Sequence, residues 1–211
     1  VIQMFPIYAC NFRCNYCVFS SDKEKRGFIS DKITMDFGLF CKCMDEIAEF
    51  PAKLKVLRFV GMGEPLLHPR IADMVAYAAG KNLTERLEIL TNASLLTPAM
   101  SDSLIKAGLS RLLVSLQGTT AEKYLSVCGA KIDYDEFRSN LRYFFEHKGQ
   151  SQLHIKIIDY ALDDQEDEKR FYELFGDICD TIGIEHAGPI FPYVDYDEVL
   201  KDRDTSVTQF G

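Results

Sequence analysis

The 211-residue chain carries 24 Lys and Arg against 32 Asp and Glu, and its net charge of −8 is the wrong sign for gripping a nucleic-acid backbone. Hydrophobic residues at 47% and charged residues at 27% exclude a disordered or fibrous chain, and the apolar runs are too short to span a bilayer, so neither nucleic acid nor membrane is expected as a partner. A chain of this length is most simply one domain, burying about 70% of its unfolded surface. No basic leader precedes a signal-type apolar stretch, and clustered thiols are a hazard in an oxidising compartment, so a cytoplasmic location is expected.

In chain order, residues 2–9 are apolar and read as a first strand ending at Cys10, and 20–33 as a charged surface connection. Thr34 reads as the N-cap of an amphipathic helix carrying Phe37, Phe40, Cys41, Met44, Ile47 and Ala48 on one face. Residues 53–60 read as a second strand running into Gly61-Met62-Gly63-Glu64-Pro65. A helix with Ile71, Met74, Val75 and Ala78 inward follows, with Gly80 expected just past its end. Residues 86–91 read as a third strand. Thr97, Pro98 and Gly108 bracket the next helix by the rule of proline first and glycine last.

Residues 111–116 read as strand four. Thr119 to Glu122 and Asp133 to Glu136 read as capping boxes, the second opening a helix with Phe137, Leu141, Phe144 and Phe145 inward. Residues 153–160 and 182–186 read as strands five and six, separated by a helix burying Phe171, Leu174, Phe175 and Ile178. Residues 193–211 read as an irregular acidic tail after a core of residues 1–192. Because the chain opens at Val1 and stops at Gly211, both ends are expected to be cut from something longer.

This alternation requires parallel strands with right-handed crossovers, an α/β architecture. A full eight-unit barrel usually takes about 250 residues, so the expectation is a partial barrel or a doubly wound sheet. In either, ligands bind at the carboxyl ends of the strands, where the unusual residues fall. Cys10, Cys14 and Cys17 follow strand one and Gly61 to Pro65 follow strand two. Thr91-Asn92 follow strand three, and Ser115 with Gln117-Gly118 close strand four.

Three thiols within eight residues suit a [4Fe–4S] cluster held by three thiolates with one iron left open. A structural zinc site would want a fourth Cys or His at a matching spacing, and a disulfide would leave an odd thiol beside it. Zinc and inert or redox-switch cysteines remain the alternatives on spacing alone. Gly61 and Gly63 permit close backbone approach to a ligand, and Glu64 offers a carboxylate to an ammonium group; the plain alternative is a tight turn with a solvated Glu. Thr91 and Ser115 offer hydroxyls suited either to a ribose or to local capping.

The ordered set Cys10-x3-Cys14-x2-Cys17, Gly61-Met62-Gly63-Glu64-Pro65, Thr91-Asn92 and Ser115-Leu116-Gln117-Gly118 resembles the radical S-adenosylmethionine superfamily. The resemblance covers nearly the whole chain. It implies a partial (βα)6 TIM-like barrel in which Cys10, Cys14 and Cys17 hold a [4Fe–4S] cluster and the methionyl amine and carboxylate of S-adenosylmethionine chelate the fourth iron. It places Met62, Gly63 and Glu64 at the methionyl amine, Thr91 or Ser115 at the ribose and Tyr16 near the adenine. It implies reductive cleavage to a 5′-deoxyadenosyl radical that abstracts hydrogen from a substrate, with electrons from a flavodoxin- or ferredoxin-type donor.

The likeness is to the SPASM branch, whose barrel continues into a cysteine-rich extension with auxiliary clusters. That branch implies a peptide or small-molecule substrate, in peptide or protein maturation or alcohol dehydrogenation. An activase of a glycyl-radical enzyme and a zinc- or cluster-binding regulatory module without turnover are the rival readings. Gln117 stands where many of those relatives carry Asp, and an amide cannot act as a carboxylate. Cys41 and Cys43 read as packing or surface thiols. Cys128 and Cys179 have no partner spacing, and Asp159, His186 and Lys156 read either as pocket groups or as ordinary hydrogen-bonded residues.

Overall fold

The structure is a computed structural model and describes residues 1–21, 24, 32–186, 188 and 194. Six strands, β1 (Ile2–Met4), β2 (Leu57–Phe59), β3 (Leu87–Thr91), β4 (Arg111–Leu116), β5 (Gln152–Ile158) and β6 (Thr181–Glu185), form one sheet in sequential order. Every neighbouring pair is parallel. The sheet is open, with β1 and β6 at its edges, as expected of a partial (βα)6 barrel.

Crossovers run through α1 (Phe37–Ala48), α2 (Ile71–Lys81), α3 (Pro98–Lys106), α5 (Tyr134–His147) and α6 (Gln165–Phe175). The strand faces turned to these helices are hydrocarbon. Leu57, Phe59, Ile89, Leu112, Val114, Leu153 and Ile155 join Phe40, Met44, Ile71, Met74, Leu104, Leu141 and Phe171 in one core. The short α4 (Ala121–Cys128) is an extra helix at the rim of the sheet. Phe12 packs edge-on against its Tyr124 at 6.0 Å, and the backbone N–H groups of Arg13 and Asn15 donate to the carbonyls of Cys128 and Val127. The cysteine loop therefore lies on the end of α4.

Several local expectations shift. The first strand is shorter than residues 2–9, because Pro6 lacks a ladder donor; Ile7 instead bridges Thr34 in antiparallel fashion. That bridge takes Thr34 away from its expected capping role, and Asp36 caps α1 by accepting from the Leu39 N–H at 3.0 Å. Gly80 stays inside α2, and Asn82 supplies the left-handed turn at φ 51°. Thr120, not Thr119, caps α4, since the Thr119 hydroxyl is committed to Asp167. The caps at Thr97 and Asp133 fall where expected. The 20–33 connection lies largely outside the described residues, as does the 193–211 tail apart from Val194. Among the described residues no helix is long and apolar enough to cross a membrane.

Candidate functional site at the carboxyl rim of the sheet

Residues on strands one to four converge at this edge because parallel strands present all their carboxyl ends together. The turn after β2 docks directly on the backbone that leads into the cysteines. The Glu64 N–H donates to the Ala9 carbonyl at 2.8 Å, and a Cβ on Gly63 (φ 150°) would stand 2.1 Å from the Ile7 carbonyl oxygen. Only glycine fits there. Gly61 (φ 120°) is constrained similarly by the Phe5 ring, 1.8 Å from where its Cβ would be.

Glu64 is 2% exposed, so its carboxyl must be satisfied internally. Oε1 accepts from the Thr91 hydroxyl at 2.6 Å and the Leu66 N–H at 2.9 Å, and Oε2 accepts from the Asn92 N–H at 2.8 Å. Burial raises its pKa and these three bonds oppose that rise. A carboxylate has about four acceptor positions, which leaves one on Oε2 for an incoming donor. Thr91 spends its only donor on Glu64, and its buried oxygen also accepts from the Ala93 N–H at 2.9 Å, which leaves it one acceptor position. Ser115, half-buried, lies on the opposite face of the sheet from Thr91's row, between Val114 and Leu116 that point into the core.

The cysteine loop is sewn to the same edge. Asn92 Nδ2 donates to Asn11 Oδ1 at 3.0 Å and lies 3.9 Å from Cys10 Sγ, while Asn11 Nδ2 donates to Ser94 at 2.7 Å. Cys10 Sγ accepts from the Phe12 N–H at 3.4 Å, and burial pushes its thiol up to about 11. Cys14 Sγ points to Gln117 Oε1 at 3.6 Å and faces Cys128. The bond to Cys128 and then burial raise its pKa. The Tyr16 hydroxyl donates to the same Gln117 oxygen, and its ring meets Tyr160 edge-on at 6.1 Å. The three thiols thus share one loop without being gathered on a common centre. Among the described residues, no three His, Cys, Asp or Glu side chains converge tightly enough to hold a metal ion.

Gln117 is 3% exposed and uses both ends of its amide: Oε1 receives Tyr16 and Cys14, and Nε2 donates to the Ser115 carbonyl at 3.0 Å. A carboxylate there would have no donor for that carbonyl. Further along the rim, Lys156 pairs with Glu185 and Asp159 with His186 at 3.1 Å. Cys41, Cys43 and Cys179 are half-buried against the core, away from the rim.

Sequence reading missed a charged layer lower on this concave face. Glu88, fully buried, stands in register between Arg58 and Arg111 and is reached by Arg58 at 2.6 Å and Arg86 at 2.5 Å. Its signal in the sequence is one charged residue inside each of three otherwise apolar strands.

The donor set fits the groups that comparison brings in. Three soft thiols stand on one loop, beside a glycine-lined approach and a buried carboxylate with one acceptor position to spare. A cofactor-modifying protein for tungsten-containing aldehyde ferredoxin oxidoreductase from Pyrococcus furiosus is 36% identical over 107 residues, covering 51% of this chain and 28% of that protein. A GTP 3',8-cyclase from Nostoc punctiforme is 32% identical over 128 residues, covering 61% of this chain and 38% of the cyclase. The chain thus spans well under half the length of these curated relatives.

In fold it is similar to SuiB of Streptococcus suis bound to its precursor peptide SuiA, with a TM-score of 0.71 at 16% identity over 91% of this chain and 40% of that one. SuiB bound to S-adenosylmethionine gives 0.66 at 16% identity, over 91% of this chain and 41% of that one. The family model described as the Radical SAM superfamily, whose members use a [4Fe–4S] cluster and S-adenosylmethionine, matches residues 4–174, and the chain belongs to that superfamily.

Proposed function

We propose that this chain is the cofactor-cleaving core of a radical enzyme, holding a [4Fe–4S] cluster on Cys10, Cys14 and Cys17 and S-adenosylmethionine along the rim from β2 to β4. When bound, these groups supply a low-potential electron for reductive cleavage of the sulfonium and hydrogen abstraction from a substrate. The observation that carries the reading is the docking of the Gly63-Glu64 turn on the backbone segment that leads into Cys10, through the 2.8 Å bond from Glu64 N–H to the Ala9 carbonyl. It sets the cysteine loop and an amine-accepting turn side by side.

Each residue then has a task. The backbone at Met62 and Gly63 accepts the methionyl ammonium at close range, and the spare Oε2 position of Glu64 adds a charge-assisted bond. Because the one O–H of Thr91 is donated to Glu64 and its oxygen is buried, Ser115 takes the ribose, and Thr91 holds Glu64 in place. Tyr16, packed on Tyr160, walls the adenine side. Holding the cluster would require Cys14 to turn from Gln117 and Cys128, and each thiol to release its proton to solvent.

The substrate is a peptide or small molecule, in peptide or protein maturation or in alcohol dehydrogenation; the superfamily membership and the likeness to a peptide-bound fold support this class. The reductant is a flavodoxin- or ferredoxin-type donor. Anaerobic reconstitution with iron and sulfide tests the site. Iron bound by the wild type should vanish in Cys10→Ala, Cys14→Ala or Cys17→Ala and persist in Cys41→Ala. Retention of iron by a chain lacking all three would refute the assignment.

A further inference from the structure

Cys128 has no place in the proposed chemistry, yet it ends α4 at 1% exposure directly against the cysteine loop. Two backbone hydrogen bonds straddle Cys14: Arg13 N–H to the Cys128 carbonyl at 2.9 Å, and Asn15 N–H to the Val127 carbonyl at 3.0 Å. These bonds fasten the loop on either side of Cys14 to the last turn of α4. Between those two bonds the Cys14 and Cys128 thiols meet side to side. Of the neighbouring thiols, that of Cys10 is turned elsewhere. Cys10 Sγ is held by the Phe12 N–H and lies towards Asn92, and the Cys17 N–H folds back on the Cys14 carbonyl in a tight turn. Cys128 Sγ is itself steadied by a 3.0 Å bond to the Tyr124 carbonyl.

We propose that Cys14 and Cys128 form a disulfide in the cluster-free chain, a modification that locks away one cluster ligand until it is reduced. The co-reactant is a low-molecular-weight disulfide. The half-buried Cys14 sulfur attacks one of its sulfur atoms, the S–S bond breaks, and one small thiol leaves as a thiolate. The Cys128 sulfur then attacks Cys14 Sγ of this mixed disulfide and expels the second small thiol. Two protein thiols are oxidised, one small disulfide is reduced to two thiols, and the two protein protons pass to the leaving thiolates. Cys14 is the entry point because it is the more exposed of the two; the contact between them holds its thiol the higher of the pair, so its proton passes to Cys128 as it attacks, and Cys128 is the resolving thiol. The pairing does not depend on the cofactor reading, since it forms in the chain without cluster.

The test uses the full chain, cluster-free and fully reduced, exposed under nitrogen to oxidised glutathione, then alkylated and mapped by peptide mass spectrometry. The expected result is a loss of two of the seven thiols and a peptide linking Cys14 to Cys128. Cys128→Ser, and Cys128→Ala should the serine form fold poorly, should instead stop with glutathione on Cys14, while Cys41→Ser should behave as wild type. The oxidised wild type should take up no iron until treated with a thiol reductant. Linkage of Cys14 to Cys10 or Cys17, retention of all seven thiols, or a closed Cys14 disulfide in the Cys128 variants would overturn the proposal.

Discussion

The two faces of the sheet obey different rules. Towards the helices, Leu57, Phe59, Ile89, Leu112, Val114, Leu153 and Ile155 are all fully buried in hydrocarbon. At the alternate positions stand Arg58, Glu88, Arg111, His154 and Lys156, interspersed with Leu90, Leu113 and Ile158. Parallel strands covered on both faces read as continuous apolar runs, so this alternation marks a sheet whose second face is a concave lumen. The comparison teaches a division of labour: the convex face is hydrocarbon packed on helices, while the other face and its rim carry the sheet's charged and polar side chains.

That division is breakable at defined places. Glu88→Ala on the concave face should have the largest effect, destabilising the chain by about 3–5 kcal/mol, because it leaves the partly buried guanidinium groups of Arg58, Arg86 and Arg111 facing one another with no counter-charge. Denaturant unfolding checks it, and a loss below about 1 kcal/mol would mean that water reaches the layer and relieves the charges. Phe59→Ala on the convex face should cost about 3–5 kcal/mol by leaving a cavity beside Phe40, 5.7 Å away between ring centres. Its folded fraction should keep S-adenosylmethionine affinity; a parallel loss of affinity would blur the two faces.

At the rim, Glu64→Gln should leave iron content unchanged and weaken S-adenosylmethionine by roughly ten- to a hundredfold, or about 1.5–3 kcal/mol, read by calorimetric titration. Unchanged affinity would remove Glu64 from the methionyl amine and leave it as the pin that joins the turns after β2 and β3. The smallest effect is expected from Thr97→Ala, which removes the α3 cap bond to Met100 and should cost about 1 kcal/mol with no change at the rim. A change in cofactor affinity there would show that α3 and the rim are mechanically coupled.

How much was legible follows the range of the interactions. Hydrophobic period and turn chemistry are local, so the strand at 111–116 and the caps at Thr97 and Asp133 were readable from neighbours alone. The caps at Thr34 and Thr119 were misplaced because each residue is claimed by a distant partner, Ile7 in one case and Asp167 in the other. The same limit applies at the site. Sequence spacing marked Glu64 and Thr91 as two separate candidates, but their 2.6 Å bond, across 27 residues of chain, turns one into the support of the other. Gln117, read as a lost carboxylate, turns out to need its amide for the Ser115 carbonyl. Cys128 showed no spacing signal, since it meets Cys14 through the placement of α4 against a loop more than a hundred residues earlier.

The central claim is that the rim assembled from Cys10, Cys14, Cys17, the Gly63-Glu64 turn and Ser115 binds a cluster and S-adenosylmethionine for reductive cleavage. The most direct measurement is 5′-deoxyadenosine released by the anaerobically reconstituted chain supplied with S-adenosylmethionine and dithionite. The account predicts slow formation of 5′-deoxyadenosine that requires dithionite, disappears in the Cys17→Ala variant and falls in Ser115→Ala. A chain that binds a full complement of iron and S-adenosylmethionine yet releases none would contradict it.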